Sequence, residues 1–176
     1  MSWRIKESEV EILVVDVQQK LLPAMFQADL VERHLSQLIS AAVILGIPVS
    51  FTEQNPTGLG KTVDSLKSLA LGAAVYEKTR FSAGEFGVNL ERKKIIVVGL
   101  EAHICVRQTV YDLIRQSKTV VVVADAVASR FQENKTVALA EFATDKVFLT
   151  TVEALLFELI GDSKHPLFKD IAALVK

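Results

Sequence analysis

Short runs of apolar, mostly β-branched residues alternate along the chain with longer stretches in which apolar residues recur every three or four positions. The short runs predict β-strands, and the longer stretches predict amphipathic helices. The predicted strands are 10–15, 47–52, 73–76, 94–100, 119–124 and 146–150. The predicted helices are 30–45, 104–117, 134–142, 152–160 and 167–175. Such an alternation is typical of βαβ units.

The strands at 94–100 (KIIVVGL) and 119–124 (TVVVVA) are almost continuously apolar. Parallel strands that are covered by helices on both faces have this pattern, whereas half-exposed strands alternate. We therefore predict a three-layer αβα, doubly wound (Rossmann-like) fold with a parallel sheet of about six strands. The 176 residues contain no repeat or linker, so we expect a single domain over 1–176.

Local patterns predict where some of these elements begin. Asp29 with Glu32, and Thr150 with Glu153, have the spacing of a capping box, in which a side chain before the helix binds the free amides of its first turn. The segment 53–61 (EQNPTGLGK) is rich in turn-forming residues and is predicted to be the longest loop.

Composition and charge narrow the choice of partners. Hydrophobic residues make up 50% of the chain, and the mean hydropathy is +0.32. These values predict that another subunit covers part of the apolar surface, in a homo-oligomer that is a dimer or larger. The chain has 20 basic and 21 acidic residues. Because there is no basic excess, nucleic acid is not an expected partner.

The chain contains one cysteine, which excludes an internal disulfide and a multi-thiolate metal site. A reducing compartment is therefore expected. Residues 1–9 are charged rather than apolar, and no apolar run is long enough to cross a membrane, so we predict a cytoplasmic protein without a membrane partner. The three histidines lack metal-ligand spacing, and no metal or cofactor is predicted.

Three chemically active side chains follow predicted strands. Asp16 ends the first strand, Lys78 follows the third, and Cys105 comes just after the fourth, at the start of a predicted helix. In open α/β sheets, ligands bind beyond the carboxyl ends of the strands. We therefore expect these three side chains to lie at one edge of the sheet.

Cys105 is the candidate nucleophile. A thiol in the first turn of a helix lies near the positive end of the helix dipole and near unpaired backbone amides, and both favour the thiolate. A nearby ammonium group would favour it further, and the same amides could bind a developing oxyanion. The alternative is that Cys105 is a small buried apolar side chain.

Asp16 and Lys78 are the candidate partners of the thiol. Asp16 could accept its proton or hold Lys78 in place, because a carboxylate at the end of an apolar strand is costly unless it is paired. Taken singly, Asp16 could be an ordinary strand-end ion pair and Lys78 a solvated lysine. Together, an acid, an ammonium and a thiol at one sheet edge predict an activated nucleophile.

Four further residues are candidate substrate contacts. Gln18 could donate a hydrogen bond to a substrate, Ser82 would face the crevice, and Phe26 and Phe81 could line an apolar pocket. Each has a simpler alternative. These are a solvated glutamine, a serine that caps a short helix three residues before Glu85, and two core phenylalanines.

Three segments contain most of these candidates: LVVDVQ at 13–18, EKTRFSA at 77–83 and GLEAHICVRQTVYDL at 99–113. In sequence and order they resemble the signature blocks of the isochorismatase-like cysteine hydrolases, a superfamily that includes nicotinamidases and carbamoylsarcosine amidases. The resemblance covers almost the whole chain. The stretches VVADAVASR at 122–130 and GDSKHPLFKDIAALVK at 161–176 are similar to the isochorismatase domain-containing subgroup.

The resemblance implies a catalytic triad of Asp16, Lys78 and Cys105. It also implies an oxyanion hole formed by the backbone amides of Glu101 and Cys105, next to a non-proline cis peptide between Leu100 and Glu101. Nicotinamidases carry zinc-binding histidines near the second strand, whereas this chain has FTEQN at 51–55. This difference from the nicotinamidases implies a metal-independent enzyme.

We therefore predict a cysteine-dependent hydrolase of a small amide-type (C–N) substrate. Two alternatives remain open. One is a non-catalytic binding or scaffold protein that retains the fold. The other is a vinyl-ether hydrolase of the isochorismatase type, in which Asp16 acts without covalent catalysis. A redox role for Cys105 is weaker, because the chain has no second cysteine to resolve a disulfide.

Overall fold

The computed structural model describes residues 5–84, 88–145 and 147–176. A parallel sheet with the strand order β3-β2-β1-β4-β5-β6 forms its centre. The strands are β1 Val10–Val15, β2 Val49–Gln54, β3 Ala74–Lys78, β4 Lys94–Leu100, β5 Thr119–Ala128 and β6 Phe148–Thr150. The order runs outward from β1 in both directions, which confirms the predicted doubly wound fold.

Helices cover both faces of the sheet, as predicted. The helices are α1 Ala28–Leu45, α2 Pro56–Leu59, α3 Asp64–Lys67, α4 Arg107–Arg115, α5 Gln132–Thr144, α6 Val152–Ile160 and α7 Phe168–Leu174. Most of the buried apolar side chains of α1, α6 and α7 belong to one apolar cluster, and those of α4 and α5 belong to a second. The sheet separates the two clusters, so the chain has three layers.

Strand β1 contributes to both clusters. Ile12 and Val14 pack on the side of α1, whereas Leu13 and Val15 pack on the side of α4 and α5. Fully burying a side chain of this kind contributes about 1.5–3 kcal/mol. Packing on both faces therefore fixes the carboxyl end of β1, where Asp16 follows.

Both predicted capping boxes are wrong. Helix α1 begins at Ala28, so Asp29 lies inside its first turn rather than before it. Helix α6 begins at Val152, whose amide donates to Asp125 Oδ1 at 2.9 Å. Thr150 belongs to β6 instead. A side chain that is distant in sequence therefore performs the capping that the local spacing had suggested.

Two other segments differ from their predictions. The expected loop at 53–61 is shorter, because β2 continues to Gln54 and Pro56–Leu59 forms a helical turn. The helix predicted over 104–117 has a different start. A π-helical turn, Ala102–Val106, occupies its first residues, and α4 begins after this turn, at Arg107. Cys105 therefore lies in this turn rather than in the first turn of the α-helix.

Gly99 allows β4 to approach β1 closely beside the site. Its φ is +115°, and a Cβ at this position would lie 2.1 Å from the carbonyl oxygen of Val15. The pairing of β4 with β5 also shifts its register between Val97 and Gly99. Only glycine fits this backbone without displacing β1.

Candidate active site

Asp16 lies directly after β1 and is 0% exposed. Its backbone is in the left-handed region, with φ 53°. Its Oδ1 accepts a hydrogen bond from the Thr52 hydroxyl at 2.7 Å, and its Oδ2 accepts one from Lys78 Nζ at 2.6 Å. A buried carboxylate without donors would be costly, so these bonds compensate for its removal from water.

Lys78 is the last residue of β3, and its ammonium is surrounded by oxygen. Besides Asp16, Nζ lies 2.9 Å from Gln54 Oε1, 2.8 Å from the Phe81 carbonyl and 3.2 Å from the Arg80 carbonyl. An ammonium has only three hydrogens for these four acceptors. Lys78 therefore acts on a neighbouring sulfur through its charge, while its hydrogens hold Asp16 and the residues after β3.

Cys105 joins this pair from the π-helical turn after β4. It is 5% exposed. Its sulfur lies within interaction range of the Asp16 carboxylate, the Lys78 ammonium and the Glu101 backbone amide. Burial and the charge of Asp16 raise the pKa of Cys105 to about 12, and the charge of Lys78 offsets only part of this effect. The structure thus brings Asp16, Lys78 and Cys105 together at one sheet edge.

The pKa of Cys105 does not favour the predicted thiolate, whose formation during a reaction stays a prediction. The helix dipole and the ammonium were expected to ionise Cys105. Burial, the largest effect on its pKa, and the adjacent carboxylate both favour the neutral thiol. At neutral pH the protonated form of the sulfur is therefore favoured.

The turn that carries Cys105 begins at a cis peptide bond between Leu100 and Glu101, which confirms the expectation from the resemblance. The Glu101 carbonyl accepts the amides of Ile104 at 3.0 Å and Val106 at 3.2 Å. Its own amide lowers the pKa of Cys105, although the effects that raise this pKa are larger. An oxyanion hole formed by the amides of Glu101 and Cys105 stays a prediction.

Gln18 is fully buried at the same edge. Its Oε1 accepts the Gln54 amide at 2.8 Å, and its Nε2 donates to the carbonyls of Gln54 at 3.0 Å and Gly60 at 2.6 Å. The alternative of a solvated glutamine is therefore wrong. Both amide hydrogens bind backbone, so donation to a substrate, which stays a prediction, would require one of these bonds to break.

The other tentative contacts lie near the site in different settings. Ser82 is buried, and its Oγ accepts the Gly84 amide at 3.0 Å. The short helix expected to reach Glu85 lies outside the described residues. Phe26 is 45% exposed and Phe81 is 53% exposed, so core packing is wrong for both. Their contribution to a substrate pocket stays a prediction.

Sequence reasoning missed two polar residues of β2 that support the site. Thr52 donates to Asp16, and Gln54 accepts from Lys78. The side-chain Nε2 of Gln54 also donates to the Thr79 carbonyl at 2.7 Å. Both residues stand at the carboxyl end of a strand, so the rule that identified Asp16 would have identified them as well.

A second polar cluster lies beside the cysteine turn. His103 Nδ1 is 2.9 Å from Ser129 Oγ, and His103 Nε2 is 3.3 Å from Asn134 Nδ2. Ser129 directly follows β5, and Asn134 belongs to α5. The imidazole therefore ties the turn to two neighbouring elements.

In the ranges 5–84, 88–145 and 147–176, no three His, Cys, Asp or Glu side chains are grouped as metal ligands. Glu53 stands in the segment where nicotinamidases bind zinc, but its Oε1 accepts the amide and hydroxyl of Thr62 at 2.7 and 2.8 Å. None of the helices in these ranges has both the length and the apolar character that a membrane span requires.

The fold and its edge cluster define a doubly wound α/β protein with a cysteine, an aspartate and a lysine at one site. The model of the isochorismatase domain matches residues 11–154. Isochorismatase domain-containing protein 2 of Danio rerio is 39% identical over 170 residues, which cover 93% of this chain and 85% of that protein. The chain therefore belongs to the isochorismatase domain family and has its hydrolase fold.

Two further relatives have different names. The secreted isochorismatase effector Isc1 of Phytophthora sojae is 34% identical over 175 residues, or 94% of this chain and 83% of that protein. The structure of MAR1 ribonuclease from Caenorhabditis elegans superimposes with a TM-score of 0.90 at 36% identity, covering 98% of this chain and 92% of that one. Family membership thus leaves the substrate open.

Proposed function

We propose that this protein is a metal-independent cysteine hydrolase of a small amide-type substrate, with Cys105 as nucleophile and Asp16 as base. The observation that carries the proposal is the convergence of three side chains: the buried Asp16 carboxylate binds Lys78 Nζ at 2.6 Å, and the Cys105 sulfur lies beside this pair. A carboxylate in this contact can remove the proton as the sulfur attacks, so no preformed thiolate is needed.

In the first half of the reaction, the sulfur bonds to the substrate carbonyl carbon while its proton passes to Asp16. The carbonyl oxygen gains the negative charge, and the amides of Glu101 and Cys105 donate to it. The C–N bond then breaks, and Asp16 returns the proton to the departing nitrogen. The products are an amine, a thioester on Cys105 and an ionised Asp16.

In the second half, a water molecule attacks the thioester carbon and gives a proton to Asp16. The C–S bond breaks, the carboxylic acid leaves, and the sulfur recovers its proton from Asp16. Lys78 takes no part in these transfers, because its hydrogens are engaged by oxygen. Its role is to keep the Asp16 carboxylate in place through both halves.

We also propose that the protein is a cytoplasmic homo-oligomer. Phe26, Phe81 and Phe131 are 45%, 53% and 61% exposed, and exposed aromatic side chains of this size favour burial against another chain. Light scattering coupled to size exclusion gives the oligomeric state, and a monomer would contradict the proposal. Fractionation of cells that express the protein tests its location.

The hydrolase proposal is tested by product release and intact mass, for the wild type and for Cys105→Ala and Cys105→Ser. The panel contains small amides, esters, a vinyl ether and an RNA oligonucleotide, the last because one relative is named a ribonuclease. We expect an acyl adduct on the wild type and loss of turnover in both variants. The chain has one cysteine, so an adduct that is missing from both variants is assigned to Cys105.

Other outcomes would select the alternatives. Full vinyl-ether turnover by Cys105→Ala would contradict covalent catalysis. Cleavage of the RNA alone would favour the activity named for the Caenorhabditis elegans relative. A folded wild type that forms no adduct and releases no product across the panel would favour a binding protein.

A further inference from the structure

Thr109 connects two parts of the site that carry different catalytic side chains. It lies in α4 and is 0% exposed. Its hydroxyl donates to the carbonyl of Cys105 at 2.7 Å and accepts the backbone amide of Ala83 at 2.9 Å. A hydroxyl has one hydrogen and two acceptor positions, so it makes both bonds at once.

Ala83 belongs to a segment whose backbone carbonyls bind the ammonium of Lys78. We call residues 79–84 the strap. The carbonyls of Arg80 and Phe81 in the strap accept hydrogen bonds from Lys78 Nζ. The amide two residues after Phe81 is the one that Thr109 binds. Thr109 therefore fixes the far end of the segment that holds the ammonium.

The strap also lies tightly against α4. A Cβ on Gly84 would lie 2.6 Å from the Cβ of Asp112. At such close packing, a small displacement of α4 or of the strap moves the other element with it. The Thr109 hydroxyl is buried at this junction, where water does not replace a lost hydrogen bond freely.

The bond from Thr109 to Cys105 alone would be unremarkable, because helical threonines often donate to the carbonyl four residues earlier. Thr144 does the same to Ala140 at 3.1 Å, at an exposed site. The second bond, to an amide that is 26 residues away, distinguishes Thr109. Thr144 is therefore a matched control for the loss of the helical bond.

We infer that Thr109 is a positioning residue that couples the strap holding Lys78 to the turn carrying Cys105. The inference rests on the proposed function. Without the hydroxyl, the Ala83 amide and the Cys105 carbonyl lose a shared anchor, and the sulfur and the ammonium shift relative to Asp16. Misplacement of reacting groups by about 1 Å can cost about 100-fold in rate, so Thr109→Val should slow acylation by roughly 10- to 100-fold.

The test compares wild type, Thr109→Val, Thr109→Ser and Thr144→Val. The acylating probe is p-nitrophenyl acetate. Its acetyl group is transferred to the sulfur, and its p-nitrophenolate group leaves and takes up the thiol proton. Thr109→Val keeps the size of the side chain and removes the hydroxyl. We expect it to lower the maximal acylation rate with little change in half-saturation, while Thr109→Ser and Thr144→Val stay close to wild type.

A second readout separates this inference from the proposed function. If p-nitrophenyl acetate fails to acylate the wild type, the proposed acyl transfer loses its support, but alkylation by iodoacetamide still reports on the thiol. Its pH profile should shift in Thr109→Val and stay unchanged in Thr109→Ser. Unchanged acylation and an unchanged alkylation profile in a folded Thr109→Val would overturn the inference.

If Thr109→Val does not fold, hydrogen exchange of the wild type decides. An Ala83 amide that is bound to a buried hydroxyl should exchange far more slowly than an open loop. Strong protection supports the coupling, and exchange at the rate of an unstructured segment overturns it.

Discussion

The sulfur of Cys105 lies beside the buried carboxylate of Asp16, and the charge of that carboxylate raises the pKa of the thiol. This carboxylate and the burial of the sulfur together oppose ionisation more strongly than the charge of Lys78 favours it, so the pKa of Cys105 rises to about 12. At neutral pH this pKa favours a neutral thiol with a carboxylate base beside it. Proton transfer during attack therefore fits the site better than a preformed thiolate.

The first prediction concerns stability at high pH. The pKa of Cys105 is raised in the folded state from 9.0 to about 12. The contribution of the neutral thiol to the free energy of unfolding is therefore fully present below pH 9 and is lost as the pH rises towards 12. In that window the wild type should lose roughly 1.4 kcal/mol of unfolding free energy per pH unit relative to Cys105→Ala.

Urea unfolding of both proteins between pH 8 and 10.5 measures this difference. The Ala variant removes the titrating group, while the other ionisable residues remain in both proteins and cancel. Parallel stability curves across the window would show that the thiol is not held in its neutral form.

The second prediction concerns Thr52, which donates to Asp16 Oδ1. Thr52→Val removes the donor with little change in volume. A buried acceptor that loses its partner costs about 1–3 kcal/mol, so urea unfolding should show a loss of that size, accompanied by slower acylation. Thr52→Ser retains the hydroxyl and should recover most of both. Equal stability of the Val variant and wild type would mean that the bond does not hold Asp16.

The third prediction compares two glycines. Gly99→Ala would bring a Cβ to 2.1 Å from the Val15 carbonyl oxygen, at φ +115°. Gly46→Ala has a positive φ of +68° but no atom within 4 Å of the new Cβ. We expect about 1 kcal/mol of destabilisation at Gly46 from backbone strain, and about 3 kcal/mol or more at Gly99, where strain and overlap combine.

Urea unfolding at neutral pH separates the two glycine variants. Both have a positive φ, but only Gly99→Ala adds a Cβ that overlaps β1, so its additional loss reports this overlap together with the greater strain at φ +115°. Equal losses of unfolding free energy would show that β4 does not need the close approach.

The strands that were predicted most accurately are those whose environment is uniform. The ends of β1 and β4 agree with the prediction, because both strands are mostly apolar and are buried along almost their whole length. Strand β5 runs four residues further than predicted, to Ala128. Asp125 interrupts its apolar pattern, but the carboxylate is satisfied by the amide of Val152 at the start of α6. Such a partner is invisible to a local pattern.

The candidate site was predictable in its membership and unpredictable in its electrostatics. Asp16, Lys78 and Cys105 all follow strands, so topology alone brings them to one edge. Whether the sulfur ionises depends on its burial and on which charge contacts it, and both arise from tertiary structure. The bridge from Thr109 to Ala83 likewise joins elements that no sequence spacing relates.

The most direct test of the central claim is Asp16→Asn, assayed at pH 8 for iodoacetamide alkylation and for turnover of whichever panel substrate the wild type hydrolyses. Removing the carboxylate charge should speed alkylation of Cys105 by roughly tenfold, because more of the sulfur ionises. Turnover should fall, because the base that takes the proton during attack is gone. An Asp16→Asn variant that is alkylated no faster than wild type and still turns over substrate would contradict the role of Asp16 as base to the Cys105 thiol.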